Sequence, residues 1–144
     1  MTKIRIEKLK KENIENVFEI EKTFFDVGSI NSIENSFDSK TLEYFVLFLD
    51  EIIVGFLECS VVLDEAELYE IAIKKDFQGK GLSKYLMEYF FEYLKQKNVR
   101  TVFLEVNKIN SKAISLYQKC GFEAYGDRKN YYGDNDAILM KKQF

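Results

Sequence analysis

The sequence predicts an α/β fold, a β-sheet with helices packed on its faces. Three observations carry this. Short apolar or alternating runs recur at seven places, as strands would. Longer stretches at 11–24, 81–97 and 110–120 repeat apolar residues at helical spacing. A glycine-containing break, Phe77-Gln78-Gly79-Lys80-Gly81, joins a strand to the second of those helices.

In chain order, residues 3–7 alternate in polarity and predict a first strand. Ile14, Val17, Phe18, Ile20 and Phe24 then fall at helical spacing. Residues 26–41 are polar and mixed, which suits a short helix with loops. Two runs rich in Val, Ile, Leu and Phe, 44–49 and 52–63, flank Asp50-Glu51 and predict a hairpin. Residues 67–73 give another strand. Beyond the glycine break, Leu82, Tyr85, Leu86, Tyr89, Phe90 and Tyr93 mark an amphipathic helix, with Asn98 as its terminator. Residues 100–106 predict a strand. The 110–120 helix has Asn110 as N-cap and Gly121 at its C-terminal cap position. Segments 122–131 and 136–142 complete the set. The order is β-α-(α)-β-β-β-α-β-α-β-β. At 144 residues, with no repeat and no Gly/Ser-rich linker, one domain over 1–144 is expected.

Composition narrows the chemistry. The chain has no His, so Ser-His and Cys-His pairs and imidazole metal sites are excluded. Acid–base work falls to carboxylates, Tyr, Lys, Cys, the terminal amine or water. Cys59 and Cys120 are far apart and form no CxxC pair, which points to small buried residues in a reducing, cytoplasmic setting. The opening MTKIRIEKLKK lacks the apolar core of a signal peptide, and apolar runs fall far short of the roughly 18 residues of a membrane span. A net charge of −3 shows no basic surplus for nucleic acid. No metal, no membrane and no direct nucleic-acid contact are expected, and a monomer or weak dimer. Asp64, Glu65 and Glu67 suit a solvated turn, and Asp134-Asn135-Asp136, too short for a calcium loop, suits a hairpin turn.

The chemistry should centre on the strand–glycine–helix junction. A helix start exposes free backbone N–H groups, and the helix dipole makes the same spot positive. Together they suit a pyrophosphate. Gly79 and Gly81 let backbone approach a ligand, and Lys80 and Lys84 add positive charge at the rim. Q-G-K-G is neither a Walker A motif nor a dinucleotide fingerprint, so a plain tight turn with exposed lysines stays open at this point.

Context adds to it. I-A-I-K-K-D-F-Q-G-K-G-L-S-K-Y-L, residues 71–86, resembles motif A of the GNAT acetyltransferases, with its Q/R-x-x-G-x-G/A core. Leu104-Glu105-Val106, Asn110, Ala113-Ile114, Leu116-Tyr117, Gly121-Phe122, Arg128, Asn130-Tyr131-Tyr132 and Asp136-Ala137-Ile138 follow in order. They are similar to the RimI-type branch, which acts on the N-terminal alanine of a small-subunit ribosomal protein. The resemblance covers about 52–142; residues 1–50 match only in layout. Ser83, Asn107 and Lys75 depart from the pattern, where the family often has a second Gly or Ala, an Arg and a Pro. It implies a mixed, mostly antiparallel twisted sheet of about seven strands with helices on both faces, and acetyl-CoA as acetyl donor. The acceptor amine would attack the thioester directly.

Site roles follow from the resemblance. Glu105 is similar to the family's general base, though a carboxylate there could also simply meet solvent or a Lys. Tyr117 is similar to the general acid; packing is the competing reading, since Ala113, Ile114, Tyr117 and Cys120 share a face. A phenol titrates near ~10, so it can donate at neutral pH. Glu70, on the strand before motif A, is the second candidate base. Backbone groups of Ile71, Ala72 and Ile73 would hold the pantetheine arm. Gln78, Gly79, Lys80, Gly81, Leu82, Ser83 and Lys84 would hold the pyrophosphate region. Asn110 is a further cofactor contact or a plain N-cap. Tyr131 and Tyr132 are candidates for the acceptor groove.

An N-terminal acceptor is chemically compatible. An α-amine with pKa of about 7.7–8.0 is roughly one-tenth neutral at pH 7, against about one in 2,500 for a Lys amine. Two alternatives stand beside it: a small-molecule amine such as a polyamine or aminoglycoside, and a non-catalytic module that binds acetyl-CoA or protein.

Overall fold

The computed structural model describes residues 2–25 and 29–144. Seven strands form one sheet: β1 (Ile4–Lys8), β2 (Leu42–Leu49), β3 (Ile52–Val62), β4 (Glu65–Ile73), β5 (Thr101–Asn107), β6 (Glu123–Tyr132) and β7 (Asn135–Gln143). Four α-helices accompany them: α1 (Ile14–Phe24), α2 (Asn31–Asn35), α3 (Leu82–Gln96) and α4 (Ser111–Lys119). The short helix expected within 26–41 is α2; residues 26–28 of that stretch lie outside the described residues.

The strand order is β1-β2-β3-β4-β5-β7-β6. All neighbours are antiparallel except β4 and β5. Alternation decides how each strand divides its side chains. In β2, Tyr44, Val46 and Phe48 enter a core with Val17 and Ile20 of α1 and Ile33 of α2. Phe45 and Leu47 point the other way, into a core with Leu82, Leu86, Met87, Phe90 and Leu94 of α3. A strand buried on both faces reads as a continuous apolar run, which is how Tyr44–Leu49 looks in sequence. Ala113, Ile114 and Tyr117 of α4 pack on the α3 side.

The helix ends follow local chemistry. Asn110 caps α4, its side chain accepting from Ala113 N–H at 3.2 Å. Gly121 follows that helix with φ +96°, and Asn98 follows α3 with φ +60°; Gly and Asn are the residues that tolerate this left-handed region best.

One feature of the sheet makes the site. β4 and β5 pair only from Glu65–Thr101 to Glu67–Phe103. On its other edge, β4 slips register against β3: Leu68 sits opposite Cys59, and Glu70 opposite Glu58. Tyr69 is the extra residue of a bulge, which bends and twists the strand that carries it. The bulge falls where pairing to β5 stops, and the two strands part.

Candidate active site

A cleft of about 790 Å³ occupies the gap between the C-terminal halves of β4 and β5. That size is within the range of small-molecule and cofactor sites. Tyr69, Glu70, Ile71, Ala72 and Ile73 of β4 line it, and Glu105, Val106 and Asn107 of β5 face them. Beyond the bulge the side chains still alternate, Ala72 toward the α1 core and Ile73 toward the α3 core, and consecutive residues line the opening because this edge of β4 is no longer paired to β5.

At one end of the cleft stands the glycine turn. Gly79 and Gly81 have φ +80° and +75°, so both sit in backbone that an L side chain enters at a cost. A Cβ built on either meets nothing within 4 Å, so the space beside both is open. Among the described residues, the backbone N–H groups of Gly79, Lys80 and Gly81 have no hydrogen-bond partner. The first turn of α3 carries no acidic residue. Open space, free donors and the helix dipole together suit an anionic ligand, and the fit to a CoA-type diphosphate rests on them.

Gln78 supports this turn from behind. Its Nε2 donates to the Ile73 carbonyl at 2.9 Å, and its Oε1 accepts from Lys112 Nζ at 3.2 Å. The side chain thereby ties the end of β4 to α4. Gln78, Gly79, Gly81, Leu82, Ser83 and Asn110 all line the cleft. Lys80 and Lys84 do not. Both are exposed, and Lys80 Nζ lies 5.6 Å from the centre of the Phe77 ring. Lys112, which sequence reading passed over, is the lysine in the wall. Its position as the second residue of an N-capped helix was the available signal.

Toward the sheet, Glu105, Tyr117 and Tyr132 share the cleft wall. Glu105 belongs to the half-exposed face of β5, while Val102, Leu104 and Val106 are buried on the other. Arg128 of β6 reaches over β7 and places Nη2 3.1 Å from Glu105 Oε1. Tyr117 packs edge-on against Phe122. Burial, followed by the neighbouring Tyr132 and Cys120, pushes its hydroxyl up to about 12. Tyr132 is also raised, by burial and then by Tyr131 and Glu105. Tyr131 is absent from the wall; it stacks edge-on against Tyr132 at 5.0 Å, beneath the Arg128 guanidinium.

The β6–β7 turn is tighter than expected. Asp134 sits in it beside Gly133, but Asn135 and Asp136 already belong to β7. Asp136 instead accepts from the Asn130 backbone N–H at 2.9 Å and pairs with Lys129.

A second group of carboxylates lies behind Glu70. Glu21 of α1, Glu58 of β3 and Glu70 each offer an oxygen, all within 4.8 Å of one another. Glu21 is 2% exposed, and its Oε2 accepts from the Tyr44 hydroxyl at 3.0 Å. Burial pushes the Glu58 carboxyl up to about 7, with Glu21 adding to the shift. Burial, then Glu21 and Glu58, raises Glu70 well above the carboxylate range. Sequence reading missed Glu21, although it stands four residues after Val17 and seven after Ile14, on the inward stripe of α1.

Comparisons with known proteins identify the family. A profile of the acetyltransferase (GNAT) family matches residues 11–122. The [ribosomal protein bS18]-alanine N-acetyltransferase of Haemophilus influenzae is 38% identical over 89% of this chain and 90% of its own length. A Bacillus subtilis relative is 35% identical over 96% of this chain and 95% of its own. The crystal structure of the ribosomal-protein-S18-alanine N-acetyltransferase from Escherichia coli superposes with a TM-score of 0.89 at 30% identity, covering 98% of this chain and 94% of that one. The chain therefore belongs to the acetyltransferase (GNAT) family, among its RimI-type N-acetyltransferases.

Proposed function

We propose that this enzyme transfers the acetyl group of acetyl-CoA to the N-terminal α-amine of a ribosomal protein, with the alanine of bS18 as the first acceptor to test. The observation that carries the reading is the parted β4–β5 pair. It opens one continuous cleft from the glycine turn to a carboxylate and a phenol. Relatives named for bS18 match nearly the whole chain, including the first 50 residues, where the sequence motifs are sparse. Two structures of the same fold hold coenzyme A or acetyl-CoA, which supports that donor.

Acetyl-CoA supplies an activated thioester. The residues divide the remaining work. The amides of Gly79–Gly81 take the diphosphate, and Lys112 adds charge on the same side. The unpaired edge of β4 at Ile71–Ile73 offers backbone groups to the amide-bearing arm of the donor. Glu105 accepts the proton of the acceptor amine, directly or through water, while Arg128 fixes the carboxylate. Tyr117 stays protonated across the working range and donates to the leaving sulfur. Tyr132 borders the acceptor end, with Tyr131 supporting it from outside. No helix among the described residues is long and apolar enough to cross a membrane. We place the enzyme in the cytoplasm, where nascent ribosomal proteins are its acceptors.

The test is thiol release from acetyl-CoA with a peptide copying the bS18 N-terminus, against the same peptide blocked at its α-amine but carrying Lys. Rapid release with the free N-terminus only is the expected result. Release with polyamines and none with the peptide would overturn the acceptor assignment.

A further inference from the structure

The Glu21–Glu58–Glu70 group has no part in the chemistry above, yet one of its members lines the cleft. Each comes from a different element: Glu21 from α1, Glu58 from β3 and Glu70 from β4. Glu58 and Glu70 are direct cross-strand partners. Like charges directly opposite in a sheet repel, and burial strengthens the repulsion. The other titratable groups nearby are the buried Cys59, next to Glu58 in β3, and two tyrosines. Tyr44 of β2 donates to Glu21, and Tyr69 of β4 pairs with Ser60. Among the described residues, no Lys or Arg forms an ion pair with any of the three carboxyls.

Three anions in such a place need neutralising. Two buried oxygens say how: Glu21 Oε1 and Glu70 Oε1 both lack a hydrogen-bond partner when every carboxyl is counted as an acceptor. A carboxyl proton turns one acceptor into a donor and can satisfy a neighbouring oxygen. Glu70 is the member on which both others act to favour the protonated form, whereas the Glu58 carboxyl is raised only to about 7.

We infer that Glu21, Glu58 and Glu70 form a proton-sharing cluster in which Glu70 bears the proton, so that the cleft meets Glu70 as an uncharged carboxyl that positions the acceptor and leaves deprotonation to Glu105. The chemical consequence concerns the acceptor. An ionised carboxylate beside an amine favours the ammonium form, which cannot attack a thioester. An uncharged carboxyl can still accept a hydrogen bond from the amine without holding it charged. Glu21 and Glu58 act through Glu70 and are positioning residues.

The acceptor part of this inference rests on the proposed acetyl transfer; the protonation state does not. Infrared difference spectroscopy near pH ~9, well above the Glu58 value of about 7, should show the carbonyl stretch of a neutral carboxylic acid in the wild type, absent from Glu70→Gln. Lack of that band in the wild type would overturn the inference, whatever the enzyme acetylates. In kinetics with the bS18 peptide, Glu21→Gln gives the neighbour a donor and lets Glu70 ionise. The acidic limb of kcat/KM against pH should then move up by about one unit, while Glu70→Gln leaves the limb in place. A Glu70→Gln enzyme as inactive as Glu105→Gln would make Glu70 the base and defeat the inference. So would micromolar Mn²⁺ or Ca²⁺ binding to the wild type that Glu21→Gln abolishes, since a cation would then replace the proton. Should Glu21→Gln fail to fold, Glu58→Gln serves the same kinetic purpose, and the wild-type infrared band needs no variant.

Discussion

Arg128 and Glu105 come from strands separated by β7, and their contact was not readable from either motif alone. Both residues stood out in the sequence, but their meeting depends on β7 lying between β5 and β6. Their ion pair is partly exposed, chiefly on the Arg128 side, and should contribute little to stability, on the order of 0–1 kcal/mol. Arg128→Ala should therefore leave the thermal midpoint nearly unchanged while lowering kcat severalfold, read by thermal melts and steady-state kinetics on one preparation. Glu105→Gln should lower kcat by about 10²–10⁴-fold, with acetyl-CoA affinity unchanged in calorimetry. Tyr117→Phe should lower kcat and spare affinity in the same way. Because the Tyr117 hydroxyl is pushed up to about 12, its deprotonation should cause no loss of rate below about pH 11. A pH–rate profile falling near pH 9 in the wild type but flat there in Tyr117→Phe would contradict that.

Among the elements, periodicity located all seven strands and the principal helices to within about three residues at each end, because both sheet faces are capped and the apolar patterns are strong. It could not locate the Tyr69 bulge. A bulge is a register slip between two strands, and nothing in L-Y-E-I-A-I alone announces it. The glycine turn was legible for the opposite reason: its two positive φ angles demand glycine locally. Gly81→Ala should cost about 1–2 kcal/mol in urea unfolding and weaken acetyl-CoA binding measurably in calorimetry. The added methyl meets no protein atom, so any loss of affinity beyond backbone strain reports on the ligand's own space.

For the molecule as a whole, the buried carboxyls set the pH dependence of stability. Glu58 and Glu70 hold protons in the folded state at pH values where the unfolded chain has released them. Stability from this source is complete below the ordinary Glu value of about 4.3 and is lost as pH rises through the raised folded values, past 7. The urea midpoint should fall between pH 5 and pH 9, and Glu70→Gln should flatten that fall. The strand order itself was legible only through the family resemblance, since hairpin patterns give β2–β3 and β6–β7 but not the insertion of β7 beside β5. That insertion leaves β1–β4 and β5–β7 joined by three residue pairs of one parallel ladder. The sheet is thus two zippers closed separately, with a short shared hem. A donor molecule lying along the open part would act as a splint. Amides of residues 68–73 that face the gap should exchange with heavy water quickly in the free enzyme and slowly once acetyl-CoA is bound. Binding would then register as mechanical stiffening across the seam, ahead of any chemistry.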